Sequence, residues 1–293
     1  IQLNSHLLPG LRIEDQIQFA GLKKNILSIY YPSRKLNFPL YPFIRVENAK
    51  YPYKFFDKEQ YNRRYTYQTD GVNIGLGLLL KNVWNTEFEY TYRQESFLPE
   101  EDDSDKKETI SGILFSAQLD MLDDVLLPWN GILLKGKYEN SIMNWGSTYN
   151  YHFYRGSGDI YFTQKRNTYR FMGYYHQGLN DLPPQLTIIP DGSQTFAGLN
   201  EFQLQGNTLS FSRLEYRYKH KKDIFAHLIF NWILNVKSAN NIVSAENKWG
   251  AGIGITLVSP LGPMEFIWGR GPINIYSKGG WQNLFHFSAG YKF

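Results

Sequence analysis

The run Lys248-Trp249-Gly250-Ala251-Gly252-Ile253-Gly254-Ile255-Thr256-Leu257-Val258 decides the fold. Trp249, Ala251, Ile253, Ile255 and Leu257 fall on one parity, and Gly250, Gly252, Gly254 and Thr256 on the other. Period-two alternation is the signature of a strand with two unlike faces. The final stretch repeats it. From Leu284, the residues Phe285, Phe287, Ala289, Tyr291 and Phe293 are apolar, and His286, Ser288, Gly290 and Lys292 are small or polar.

Outward from these strands the pattern persists. Val72, Ile74, Leu76, Leu78 and Leu80 share a face in Gly71–Lys81. Phe88, Tyr90 and Tyr92 stand opposite Glu87, Glu89, Thr91 and Arg93, and Ile132, Leu134 and Tyr138 opposite Lys135, Lys137 and Glu139. In Phe225–Asn235, Ala226, Leu228, Phe230, Trp232 and Leu234 face away from His227, Asn231 and Asn235. Fainter strands read at Leu11–Phe19, Asn25–Tyr31, Pro42–Asn48, Thr109–Leu119, Tyr149–Thr163, Thr168–Gln177, Leu209–Tyr218 and Met264–Gly271.

Composition fits a strand-built membrane protein. The 293 residues hold 42% hydrophobic and 17% aromatic residues, with 22 Tyr against 4 Met. No stretch reaches the ~20 apolar residues of a membrane helix, but a spanning strand needs only about 9–11 residues, every second one apolar. Tyr and Trp collect where such strands cross the interface. The absence of cysteine excludes a disulfide framework and a thiolate metal site. The formal charge of +4 comes without a Lys/Arg block, so no nucleic-acid partner is expected. No signal peptide opens the sequence at Ile1, so a secreted origin requires sequence upstream of it.

Connections alternate between short and long. Lys81–Asn85, Gln164–Asn167, Lys219–Asp223 and Ser259–Pro263 are short; Ser96–Glu108, Gly178–Gly206, Ser238–Asn247 and Pro272–Asn283 are long. That rhythm is expected of an up-and-down barrel with tight periplasmic turns and long outer loops. Charges of both signs at mid-strand, among them Arg213, Glu215, Arg217 and Glu265, suit a wet or plugged lumen. The expectation is an all-β, transmembrane, antiparallel up-and-down β-barrel of about 14–16 strands. Residues 1–293 then form a single barrel domain, with Phe287, Tyr291 and Phe293 as a C-terminal assembly signal. The acidic run Glu100–Asp105 reads as a solvated loop tip.

Three motifs narrow this. Gln118 to Gly131 holds Asp120, Asp123 and Asp124 before Pro128 and Gly131, a defined turn whose carboxylates would face the periplasm. The long loop Gly178–Gly206 carries Phe196-Ala197-Gly198-Leu199, followed by Arg213-Leu214-Glu215-Tyr216-Arg217. Ser259-Pro260-Leu261-Gly262-Pro263 forms another confined turn. In family order these resemble the turn before the ninth strand, the inward-folding sixth outer loop and the "SPLGP" turn of the BamA/TamA superfamily of outer-membrane barrels. The match covers Gln118 to Phe293 well and the N-terminal third by strand pattern alone.

One position departs from that family. Ala197 stands where relatives carry the loop-tip arginine, and the acidic partner is absent, the nearest positions being Asn231 and Asn235. Loss of both leaves no buried charge unpaired. The departure is more like the patatin-type branch, and speaks against protein insertion of the BamA kind.

The resemblance implies a bacterial outer-membrane barrel that anchors, and translocates, a covalently linked N-terminal soluble domain or client protein. Periplasmic domains or a patatin-type hydrolase would belong to residues upstream of this chain. Lipid and the outer-membrane assembly machinery are the other partners implied. Gly156-Ser157-Gly158-Asp159 lacks the spacing and helix of a hydrolase elbow. No cofactor, metal or catalytic residue is expected, and the six histidines read as lumen or loop residues. Gly250, Gly252 and Gly254 read as room for the inserted loop. The competing reading is a diffusion pore or substrate-selective channel with an open, charge-biased lumen.

Overall fold

The computed structural model describes residues 2–4, 12–18, 23–30, 39–56, 61–99, 106–180, 182–189, 195–200, 202–237, 249–260, 262–273, 275 and 280–289. Tyr291 and Phe293, the Glu100–Asp105 tip and the Ser238–Asn247 loop lie outside these described residues.

Among the described residues, fifteen strands form one antiparallel sheet. They are β1 (Gln2–Asn4), β2 (Arg12–Gln18), β3 (Lys23–Tyr30), β4 (Leu40–Phe56), β5 (Tyr61–Leu80), β6 (Trp84–Pro99), β7 (Glu108–Asp120) and β8 (Gly131–Ser141). After them come β9 (Tyr151–Gln164), β10 (Asn167–Asn180), β13 (Thr208–Lys221), β14 (Ile224–Lys237), β15 (Trp249–Ser259), β16 (Gly262–Pro272) and β17 (Trp281–Ala289). Two short strands, β11 (Ile188–Ile189) and β12 (Leu204–Gln205), pair within the long loop. Every neighbour in the large sheet is also the next strand in sequence, apart from the step from β10 to β13 across that loop. No helix among the described residues is long and apolar enough to cross a membrane.

Exposure is inverted relative to a water-soluble sheet. Phe88 is 54% exposed and Leu228 56%, whereas Glu89 and Thr91 are each 1% exposed and Glu139 is fully buried. Charged groups this deeply buried need partners, and carbon this exposed needs hydrocarbon around it. The outward faces meet lipid and the inward faces meet one another, which makes the sheet a transmembrane β-barrel. Pairing between consecutive neighbours satisfies the backbone N–H and C=O groups between adjacent strands, as a hydrocarbon environment requires.

β4 and β5 run to 17 and 20 residues. Their pairing continues from Leu40 opposite Leu78 to Phe56 opposite Tyr61. At about 3.3 Å per residue this hairpin exceeds the bilayer, and its far half projects on the long-loop side. The sequence reading found only Pro42–Asn48 and Gly71–Lys81 here, because the projecting half has no lipid to enforce an apolar parity.

Aromatic rings border the lipid face. Trp249 packs on Trp281 with ring centroids 4.2 Å apart, and Phe266 on Phe287 at 4.7 Å. Phe287 is exposed on the outward face.

Candidate functional site

The interior holds two structures, a strap entering from the long-loop end and a lid at the short-turn end. The strap is the connection from β10 to β13. It begins against β6–β9. Leu182 and Leu186 pack on the buried cluster of Ile110, Tyr151 and Phe153, and Gln185 Nε2 donates to Glu95 Oε2 at 2.5 Å. Glu95 belongs to a charged network in which Arg93 bonds both Glu95 and Glu139, and Tyr151 donates to Glu139 at 2.5 Å.

The strap then reaches the opposite wall. Phe196, Ala197 and Leu199 are completely buried there. Phe196 and Leu199 pack with Leu204, Leu209, Phe211, Ile233, Val236 and Ile275, and Ala197 with Ile229 and Ile267. This explains why β14 carries apolar residues on both parities. Phe225, Ile229 and Ile233 point inward, against the polar-in rule, and the latter two meet the tip.

Backbone and amides hold the tip. Ala197 N–H donates to Asn231 Oδ1 at 3.0 Å, and Asn231 Nδ2 donates to the Thr195 carbonyl at 3.2 Å. Gln282 Nε2 donates to the Gly198 carbonyl at 3.0 Å. Gly198 has φ +87°, and a Cβ there would overlap the backbone of Arg270 and Gly271. Across from it, a Cβ at Gly250 would reach the Ala197 carbonyl, and one at Gly271 would lie 2.7 Å from the Gly198 oxygen. The glycines therefore let two backbones touch. Asn231, at a position where the family resemblance led us to look for an acid, reads the tip's backbone instead. Asn235 lies beside a register shift and is exposed, away from the tip.

At the other end, residues 121–130 fold back over the mouth. Asp123 accepts from the Trp129 and Asn130 N–H groups at 2.8 and 3.0 Å, and Asp124 from those of Leu126 and Leu127 at 2.7 and 2.9 Å. Asp120 accepts from the Leu122 N–H at 3.1 Å. These carboxylates close their own turn rather than projecting from it. Slight desolvation pushes the Asp123 carboxyl upward, but the hydrogen bonds from Asn130 and Trp129 hold it below its ordinary range. Gly131 has φ +120°, and a Cβ would strike the Met121 carbonyl.

The lid is pinned from below by β13 and β9. Arg217 donates to the Pro128 carbonyl. Lys219 lies 4.7 Å and Arg217 5.4 Å from the Trp129 ring centroid, and Thr163 Oγ1 donates to the Trp129 carbonyl at 2.6 Å. Pro260, Gly262 and Pro263 shape the neighbouring turn, where Gly262 has φ +104° and accepts from Ser259 Oγ at 2.8 Å.

Beneath the lid lies a chamber of about 230 Å³ lined by Val125 to Pro128 and by polar residues of β9, β10 and β13–β17. Glu215 is its hub. It accepts from Arg213 Nη2 at 2.8 Å, Arg170 Nη1 at 3.3 Å and His227 Nδ1 at 2.9 Å. His227 Nε2 lies 2.8 Å from Thr256 Oγ1. The sequence reads His227 only as a lumen or loop residue, with no carboxylate beside it in the chain. The register corrects this, because inward residues of β13, β14 and β15 meet diagonally. The chain from Glu215 through His227 to Thr256 has the connectivity of a proton relay. Since Glu215 is shared with two guanidiniums and Thr256 is 3% exposed, it braces the wall. Glu265 is half-buried and lines the same chamber. Among the described residues, no cluster of His, Asp and Glu is arranged to hold a metal ion.

A sheet with its charges inside and its apolar residues outside, threaded by an inward loop, defines an outer-membrane β-barrel. A family model described as the Omp85 superfamily domain matches residues 42–293, and the chain belongs to that superfamily. Its localisation is therefore the bacterial outer membrane. No curated protein matches it in sequence. Among solved structures, the chain is similar to BamA from Haemophilus ducreyi lacking POTRA domains 1–3, with a TM-score of 0.76 at 12% identity. The similarity covers 96% of this chain and 64% of that one. CdiB from Acinetobacter baumannii gives 0.60 at 13% identity, covering 96% and 53%, and CdiB from Escherichia coli 0.59 at 12%, covering 92% and 53%. The chain thus spans less than two thirds of the length of these structures. At these identities the likeness is one of fold, a BamA-type barrel.

Proposed function

We propose that this barrel anchors a soluble N-terminal passenger or client protein at the outer membrane and provides its route outward, with residues 178–206 as the plug. The supporting observation is the docked tip. Thr195 to Leu199 is buried against β14–β16 through glycines and Asn231, and the other end of the strap is bonded to Glu95. A lumen crossed in this way suits a gated conduit better than a steadily open diffusion pore.

In this reading the barrel is a transporter or anchor rather than an enzyme. The passenger, whether a patatin-type domain or another client, lies upstream of this chain. Lipid and the outer-membrane assembly machinery are its further partners, the latter engaged through Phe287, Tyr291 and Phe293. The wall residues Arg213, Glu215, Arg217 and Glu265 keep the lumen polar.

Deleting residues 194–200 in the full-length protein should reduce surface exposure of the passenger or its correct assembly, measured by protease shaving of intact cells. Unchanged assembly and display would refute the plug's role. A large, steady single-channel conductance in both forms would favour the diffusion pore.

A further inference from the structure

The lower chamber holds bonding capacity that its walls leave unspent. Arg170 is committed to Asp159 and Glu215, and Arg213 to Glu215. Arg217 gives one nitrogen to the Pro128 carbonyl, but its Nε is buried with no hydrogen-bond partner. The residue is only 6% exposed and faces the chamber. A buried donor without an acceptor is costly and calls for a partner. Three strands away on β16, Glu265 lines the same space and forms no ion pair within 4 Å among the described residues. The hydroxyls of Tyr161, Thr256 and Ser288 also border it.

The charges select the ligand. With Arg170 and Arg213 neutralised by Asp159 and Glu215, a bare anion would pair with Arg217 but meet Glu265, and a bare cation would pair with Glu265 but meet Arg217. A molecule carrying both signs a few bonds apart satisfies both walls. The volume is below that of sites for drug-sized ligands, so the ligand is small.

We propose that this chamber binds a small zwitterion, with its carboxylate or phosphate on the Arg217 guanidinium and its ammonium on Glu265. A free amino acid and a phosphoethanolamine headgroup share this chemistry. Because Arg217 also holds the Pro128 carbonyl, the bound anion competes with the lid for the same guanidinium. Occupancy therefore loosens residues 121–130 and moves Trp129 relative to Arg217 and Lys219.

The test is equilibrium dialysis of the purified protein in a non-ionic detergent. The probes are radiolabelled alanine, radiolabelled O-phosphoethanolamine, and acetate or methylammonium alone. The expected result is saturable binding of one zwitterion, with neither single ion retained, and a shift in tryptophan emission that Trp129→Phe abolishes. Which zwitterion binds tells a free amino acid from a lipid headgroup. Arg217→Gln and Glu265→Gln should each weaken binding at least tenfold. Glu265→Gln removes no bond from the wall or lid, so it tests the site without disturbing the fold, and heat-modifiable mobility on gels verifies that the barrel is intact. No saturable binding of either zwitterion, binding that either variant leaves unchanged, or equal binding of acetate alone overturns the proposal.

Discussion

The strap is held at its two ends by different means. On the β13–β16 wall, the tip lies backbone to backbone against glycines, with Asn231 and Gln282 supplying neutral hydrogen bonds. On the β6–β9 wall, its start lies in a charged network, where Gln185 bonds Glu95, Glu95 bonds Arg93, and Arg93 bonds the buried Glu139. The first contact depends on shape, and salt should hardly touch it. The second depends on charge balance, and fails if one member is removed.

The largest effect is expected on the charged side. Arg93→Met leaves Glu95 and Glu139 without their shared guanidinium, although Lys137 remains 3.1 Å from Glu139. Breaking a buried pair by removing one partner costs about 3–5 kcal/mol. The urea midpoint of the barrel should fall accordingly; an unchanged midpoint would mean that the network is wet and the contrast false.

On the tip side, Gly198→Val should undock the loop and leave the barrel intact. A branched residue at positive φ carries strain of about 1–3 kcal/mol, in addition to the overlap with Arg270 and Gly271. Limited proteolysis should then cut within 190–200 while the heat-modifiable gel shift persists. A loop as resistant as the wild type would break the comparison.

Asn231→Leu is the milder probe. It leaves the Ala197 N–H and the Thr195 carbonyl without partners, at a cost of about 1–3 kcal/mol. The same cleavage should appear more slowly and be independent of salt. Strong salt dependence would show that the tip is held by charge after all.

The smallest effect concerns the lid and pH. The Asp123 carboxyl is lower in the folded protein than in the unfolded chain. Its contribution is therefore fully present above the unfolded value of about 3.9 and is lost as pH falls through the lower folded value. Trp129 emission should hold steady from neutral pH to about 4 and change below that. In Asp123→Asn this acid transition should vanish.

Strand parity was legible because lipid enforces it. Leu228, Phe230, Ile253 and Ile255 face outward as their spacing indicates. The projecting halves of β4 and β5 were not legible, since beyond the bilayer no lipid imposes an apolar parity on their outer face. Gly250, Gly252 and Gly254 read as space for the loop; the first two lie against Ala197, but Gly254 faces Phe266 and Ile267 of the neighbouring strand instead. The inward apolar residues Ile229 and Ile233 were a usable signal that went unread, because a strand apolar on both parities marks a packed lumen. The chamber was invisible. Arg217 and Pro128 are separated by 89 residues, and Thr256 and His227 by 29, and only the barrel's register brings them together.

The docked tip can be tested directly because the chain has no cysteine. A Cβ at Gly252 would lie 3.1 Å from that of Ala197, a few tenths of an ångström shorter than the separation a disulfide usually spans, so a small shift of the strap accommodates the bond. In the double variant Ala197→Cys with Gly252→Cys, oxidation in intact cells should form that bond in most molecules and block maleimide labelling of both thiols. Two thiols that stay free and label rapidly would contradict the docked strap on which this account rests.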